Sequence, residues 1–310
     1  MATIATIKNL VTCGLNAVLG TGTKGCESFF KKVSSIWLTA EGFKFDGSEE
    51  MDEAYIQQLQ AEGKLIVLKG VKTFTDNSED DVLETLEDGT SQVARLGLYQ
   101  FAVQFINGMY YQAALNSLNS FGAYDVLFVD IDNNILGTEA SDGSLKGFSV
   151  GMLQAGRFMF ATDTTGQKQS LVMQLTDRKE VDSNYVFMSN AQYPAFSPNK
   201  VSGVNEVLAV FTAVPSDAGT TISVKTTLKQ DGSAFALGAY TDFILKVDGA
   251  TGNPSAGTVA ATGIWTLTVA ALSTNEVLAI GLYNNVDSRG AVEFDNVLYK
   301  SNTATSTVVA

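Results

Sequence analysis

From position 207 onward the chain breaks into short runs rich in apolar and β-branched residues, at 207–214, 221–228, 243–247, 265–269, 277–283 and 292–299. Gly, Asn, Asp and Ser fill the spaces between these runs, and no run has the length or the period of an amphipathic helix. A period of two sends alternate side chains to opposite faces of a strand. Such segments bury their apolar halves only when sheets stack, so the last third of the chain is expected to be all β.

About seven short strands in roughly 110 residues meet the requirement of an immunoglobulin-like sandwich. This half has no cysteine, so such a domain relies on core packing, with Trp265 as a candidate centre. Asn205-Glu-Val-Leu-Ala-Val is echoed by Asn275-Glu-Val-Leu-Ala-Ile; six residues do not make a repeat and fit two strands of one sandwich. All four prolines lie late, at Pro194, Pro198, Pro215 and Pro254, and the first pair sits in the small, polar stretch 190–203, NAQYPAFSPNKVSG. That is the composition of a linker. The expected organisation is an assembly domain over 1–192, a linker over 193–203 and an immunoglobulin-like β-sandwich over 204–310.

Ahead of the linker the pattern is α+β, mostly antiparallel β with a few helices. Ser48 is placed to cap a helix of about four turns, with Glu49, Glu50, Asp52 and Glu53 in its first turn, Met51, Tyr55 and Leu59 on one face, and Gly63 as terminator. A second helix is expected after Asn107, through Tyr111, Leu115 and Leu118 to Phe121, ending at Gly122. Between the helices Tyr99, Phe101, Val103 and Phe105 alternate with Gln100, Ala102 and Gln104, the pattern of a strand with one apolar face. Further strands are expected at 65–74, 124–131, 148–153, 157–161 and 171–175, and Asp88 with Gly89 suits a hairpin turn.

Composition narrows the chemistry. The chain has no histidine, which removes the usual general base at neutral pH and the commonest metal ligand. Its formal charge is -13, with 14 bases against 24 acids before residue 193 and 6 against 9 after it. Neither half has the lined-up Lys and Arg that grip phosphate, so specific nucleic-acid binding is not expected. The charged fraction is only 17%, an uncharged surface of the kind that ends against neighbours. Cys13 and Cys26 are the only thiols. Bridging them would add roughly 3 kcal/mol in the chain-entropy model, but two reduced side chains fit a protein assembled in the cytoplasm. Leu10 to Cys13 loosely echo a lipoprotein cleavage box without its apolar run, and no stretch approaches the about 18 apolar residues of a membrane span.

Three strings tempt a catalytic or binding assignment. Gly147-Phe148-Ser149-Val150-Gly151 matches a nucleophile elbow, but its serine needs a histidine to take its proton. It reads instead as a strand with Phe148, Val150 and Met152 inward and Ser149 outward. Gly20-Thr21-Gly22-Thr23-Lys24-Gly25 fits a dinucleotide fingerprint, with Glu41 downstream, yet lacks the strand before it and the helix after it. Asp130-Ile-Asp132-Asn133-Asn134 opens like a calcium loop, but Ile135 stands where glycine is needed and Ser141 where a bidentate Glu is needed. A strand, a tight turn and a returning strand fit it better. No catalytic, cofactor-binding or metal-binding residue is therefore assigned, and the chain is expected not to be an enzyme.

Charge concentrates at Asp76, Glu79, Asp80, Asp81, Glu84, Glu87 and Asp88, seven acids in thirteen residues with no base among them. Such a segment suits a solvated hairpin edge or, once copies assemble, an acidic ring facing a lumen or a basic neighbour; a divalent ion held by several of these carboxylates is a third alternative.

The order of a mixed module, a linker and a sandwich resembles the tail tube proteins of long-tailed bacteriophages that carry a C-terminal immunoglobulin-like domain. The segments 66–87 (IVLKGVKTFTDNSEDDVLETLE), 146–151 (KGFSVG) and 174–180 (QLTDRKE) are similar to structural proteins of phages infecting Bacteroidetes. The resemblance implies a virion protein assembled in the host cytoplasm, which joins copies of itself into a ring, tube or shell alongside other virion proteins. Exposed strands such as 99–105 would pair between copies. A capsid, head-completion or decoration protein shares that logic. A surface adhesin or carbohydrate-binding module, with Tyr240, Tyr283 or Tyr299 stacking on sugar, and a carboxylate-only glycosidase are the remaining alternatives.

Overall fold

The structure, a computed structural model, describes residues 3–6, 30–87 and 90–310. Cys13, Cys26, the glycine-rich run 20–25 and the Asp88, Gly89 turn lie outside the described residues. The chain separates into two compact units, Met1–Tyr55 with Lys64–Val201, and Ile56–Gly63 with Ser202–Ala310. Both consist mainly of antiparallel sheet with few helices.

The first unit contains β1 (Val33–Ala40), β2 (Leu65–Lys69), β3 (Thr73–Asp76), β4 (Val82–Thr85), β5 (Ser91–Arg95), β6 (Gln100–Phe105), β7 (Tyr124–Asp130), β8 (Ile135–Glu139), β9 (Leu145–Lys146), β10 (Phe148–Ala155), β11 (Gln169–Leu175) and β12 (Tyr185–Met188). Helix α1 (Glu53–Ala61) begins in this unit and continues into the other, while α2 (Met109–Ser117) and the single turn α3 (Lys179–Asp182) belong to the first. The sheet branches at β7. One edge of β7 pairs with β1 along its length, and the other is shared, Tyr124 to Val126 by β10 and Phe128 to Val129 by β8. One arm then runs β10-β11-β6-β3 and the other β8-β12. The first arm curls over its own face. Phe74 of β3 meets Phe128 of β7 edge-on at 5.5 Å, although three strands separate β3 and β7 in the sheet. The enclosed core holds Ile36, Leu38, Val103, Phe105, Val126, Phe148, Leu171 and Met173, with Leu115 of α2 closing one side.

Several sequence expectations change here. The strand β1 was not expected, because VSSIWLTA is buried on both faces, Ser35 and Thr39 included, and shows no alternation. The first helix starts four residues late: the Asp52 carboxylate accepts from the Tyr55 backbone N–H at 2.8 Å, while Ser48 is held in a turn by Asp46. The second ends at Ser117 and leaves Phe121 exposed. The expected strand at 65–74 is two, broken where Gly70 adopts φ +83°. At 157–161 only Met159 makes a bridge, to Lys168. The register of β10 shifts between Val150 and Met152, so Leu153 and Ala155 turn inward in place of Met152. Residues 99–105 cannot join copies edge to edge, since β6 already has β11 on one side and β3 on the other.

The stretch 193–201 packs into the first unit. Tyr193 and Phe196 are buried, and the Tyr193 hydroxyl lies 2.8 Å from the Asn133 carbonyl and 3.1 Å from that of Met188. The Asn199 amide donates to the Asp130 carbonyl at 2.6 Å, and its oxygen accepts from Ser34 at 2.5 Å.

The second unit contains β13 (Val204–Phe211), β14 (Thr221–Leu228), β15 (Phe243–Val247), β16 (Ala250–Thr251), β17 (Ala256–Val259), β18 (Ile264–Thr268), β19 (Val277–Leu282), β20 (Val292–Phe294), β21 (Val297–Ser301) and β22 (Ala304–Thr307). They form a six-stranded sheet, β17-β18-β14-β13-β21-β20, and a four-stranded one, β16-β15-β19-β22. The pairing of β13 with β21 is parallel. One core takes side chains from both sheets, and the Phe243 and Trp265 rings meet across it at 5.0 Å. Trp265 stays satisfied while buried, because its Nε1 donates to Thr226 Oγ1 at 3.1 Å. The expected strand at 292–299 is a hairpin, turned at Asp295 and Asn296, whose φ angles of +52° and +60° suit a two-residue loop. The echoed hexapeptides fall on β13 and β19, one in each sheet.

Replacing fully buried Ile36 with Ala leaves a cavity under β1 and β7 and should lower stability by about 2–5 kcal/mol, read as a lower urea midpoint. An unchanged midpoint would mean that this strand pair is not the core of its unit.

Candidate functional site

Ser149, the centre of the elbow-like string, does not face solvent. It is the second residue of β10, opposite Asp125 of β7, half-buried, and both of its polar groups are engaged. Its backbone N–H donates to Glu180 Oε2 at 2.6 Å and its hydroxyl to Glu180 Oε1 at 2.9 Å. Lys146 Nζ donates to Ser149 Oγ at 2.7 Å and to Glu180 Oε1 at 3.0 Å, and lies 3.9 Å from Asp125 Oδ2. The turn that brings Lys146 over β7 depends on Gly147, where a Cβ would sit 2.8 Å from the Val126 nitrogen and 2.9 Å from the Asp125 Cβ. Asp125 is fully buried. Its Oδ2 accepts from the Gly42 N–H at 2.8 Å, and its Oδ1 has no partner. Burial, only partly offset by Lys146, pushes its carboxyl up to about 6. Ser149, Lys146 and Glu180 thus form one hydrogen-bonded cluster over buried Asp125.

The second concentration of unusual features is the hairpin β4–β5. Every residue of both strands is exposed. The exposed side chains include large apolar ones: Val82, Leu83 at 63%, Leu86, Val93 and, just beyond, Leu96 at 59%. The acidic segment lies here, and bases reach it from outside. Glu79 pairs with Arg95 at 2.7 Å, and Asp81 pairs with Arg178, which also holds Asp182 at 2.6 Å. Asp76 caps the turn at Ser78, while Asp80, Glu84 and Glu87 are exposed. Behind the hairpin base the Tyr99 hydroxyl donates to Asp182 at 2.5 Å, a bond that raises the tyrosine and lowers the carboxylate from their ordinary values.

At the other end of β6, Ile106, Met109, Tyr110, Met159 and Phe160 form a second exposed apolar group. The Asn107 carbonyl accepts from Gln167 Nε2 at 3.0 Å and from Gln169 Nε2 at 2.7 Å, which ties the two loops together. Arg157 and Lys168 flank this group in the chain.

The calcium-like string is a turn. The Asp130 carboxylate accepts from the backbone N–H groups of Lys31, Asp132 and Asn134 and from the Asn134 side chain, at 2.8 to 3.1 Å. Those bonds occupy both oxygens. Among the described residues no group of three or more acids or thiols is gathered to hold a metal ion, and no helix is long and apolar enough to cross a membrane. Tyr240 and Tyr299 pack against the second unit's core, with Tyr299 4.9 Å from Phe235, while Tyr283 is half-buried.

No family model matches the chain, and no curated protein does. Among solved structures it is similar to a polysaccharide lyase at 9% identity and a TM-score of 0.20, over 90% of this chain and 40% of that one. The chain thus spans well under half of that protein's length, and a TM-score of 0.20 does not show a shared fold.

Arg178→Ala removes the cation that holds both Asp81 and Asp182. Backbone amides of β4 and β5 should then exchange with solvent several-fold faster while those of β6 do not change, as measured by hydrogen–deuterium exchange. Equal exchange in both proteins would show that the hairpin base is held by other contacts.

Proposed function

We propose that this protein is a non-enzymatic structural subunit that assembles with copies of itself. The observation that carries this reading is the hairpin β4–β5. A two-stranded ribbon alone in water is marginal at best, and this one leaves its apolar side chains exposed on both faces. A partner that covers them supplies what the single chain lacks. The partner that fits is a second copy. The hairpin adjoins the start of β6, and the apolar group of Ile106, Met109, Tyr110, Met159 and Phe160 lies at its end, about 20 Å along the strand. The acids of the hairpin, Asp80, Glu84 and Glu87, complement Arg157 and Lys168 beside that group. A patch at one end that meets a different patch at the other is a head-to-tail contact, which propagates into rings or filaments.

The second unit supports an immunoglobulin-like sandwich. Named A to G in chain order, β13, β14, β15, β17, β18, β19 and β22 give one sheet in the order A-B-E-D and another in the order C-F-G, the arrangement of that fold. The hairpin β20–β21 is inserted between F and G and lies beside A, and β16 extends the sheet next to C. Together with the similarity of segments 66–87, 146–151 and 174–180 to phage structural proteins, this favours a virion setting, with the tail tube as the specific proposal.

Leu83→Asp with Val93→Asp should abolish association while leaving the circular dichroism spectrum unchanged. Sedimentation velocity should show higher oligomers for the natural chain and monomer for the variant. A natural chain that stays monomeric at every concentration, or a variant that assembles equally well, would contradict the proposal.

A further inference from the structure

We propose that Lys146 and Asp125 condense into an intramolecular amide, a covalent bolt between β9 and β7, with Glu180 moving the protons. Three groups of the kinds this reaction needs converge in one half-buried place. Lys146 Nζ lies 3.9 Å from Asp125 Oδ2 and 3.0 Å from Glu180 Oε1. Its side chain is 16% exposed and that of Glu180 12%, while that of Asp125 is fully buried, so little water competes for the site.

The two carboxylates are not equivalent, and their surroundings divide the roles. Glu180 is fixed against the amine, since its oxygens accept from the Ser149 N–H, the Ser149 hydroxyl and Lys146. That makes it a base positioned on the amine. Asp125 is desolvated, with Oδ1 unpartnered, and its carboxyl, raised to about 6, is readily protonated, the form in which a carboxyl is attacked by an amine. Gly147 leaves space where any side chain would hold the two strands apart.

The step balances without an oxidant or a co-reactant. Glu180 takes one proton from the Lys146 ammonium, and the freed amine adds to Cγ of protonated Asp125, forming the C–N bond. Glu180 then passes that proton to the carboxyl hydroxyl, the C–O bond breaks and water leaves. The nitrogen gives its next proton to Glu180, which releases it to solvent, and one N–H remains on the amide. Condensation turns the Lys146 and Asp125 groups into one uncharged amide and leaves Glu180 held by the Ser149 N–H and hydroxyl. The bond forms within one chain, whether or not copies assemble.

The test is the intact mass of the purified, denatured full-length chain, followed by a tryptic digest. The expected mass is lower than that of the sequence by one water, with a branched peptide joining the Asp125 and Lys146 segments and no cleavage after Lys146. Lys146→Arg and Glu180→Gln should each restore the full mass. The natural chain at full mass would overturn the proposal, as would a water loss confined to the Asp125 peptide, which marks a succinimide. A Glu180→Gln chain that still loses water would overturn the role of Glu180.

Discussion

The first unit depends on the shared edge of β7. A strand has two edges, and β1 occupies one of them completely, so β8 and β10 must divide the other. That division forces the sheet to split: the β10 arm curls over the core, and the β8 arm leaves in another direction. It also fixes the chemistry. The chain passes from β9 to β10 directly over Asp125, which sets Lys146 and Ser149 against it, and α3 then supplies Glu180 from above. The other end of β7 is finished by Asp130, whose carboxylate closes the turn into β8.

Burial and exposure divide the unit in a way that bears on function. The curled arm leaves β6 enclosed on both edges, so its apolar face is spent on the core and not on a neighbour. Two of the exposed apolar groups lie at the two ends of that same strand, the hairpin β4–β5 at one and Ile106, Met109 and Tyr110 at the other. In the proposed assembly β6 would be the spacer between these two apolar groups, a layout suited to repeated contacts between identical subunits.

How much of this was legible in the sequence follows from how each segment is buried. Strand β6 has one face in the core and the other against polar neighbours, so Phe101, Val103 and Phe105 alternate visibly. Strand β1 is covered on both faces and carries Ser35 and Thr39 inside, which erases the period and hid the strand. In the second unit short apolar and β-branched runs set between Gly, Asn, Asp and Ser located nearly all of the longer strands; β17 and β22, four residues each, are too short to register. The string at Ser149 is a strand, as expected, but Ser149, expected outward, is held by Glu180, which lies 31 residues away and which nothing local announces. The acidic segment looked unpaired because Arg178 reaches Asp81 across 97 positions.

In the proposed assembly the hairpin β4–β5 is an arm that packs against another copy. An electron cryomicroscopy reconstruction of the assembled protein tests it most directly. Residues 82–95 of each subunit should lie buried against the loop end of its neighbour, with Leu83 and Val93 out of contact with solvent. An assembly whose hairpins project freely into solvent, or a preparation containing only separate single chains, would contradict it.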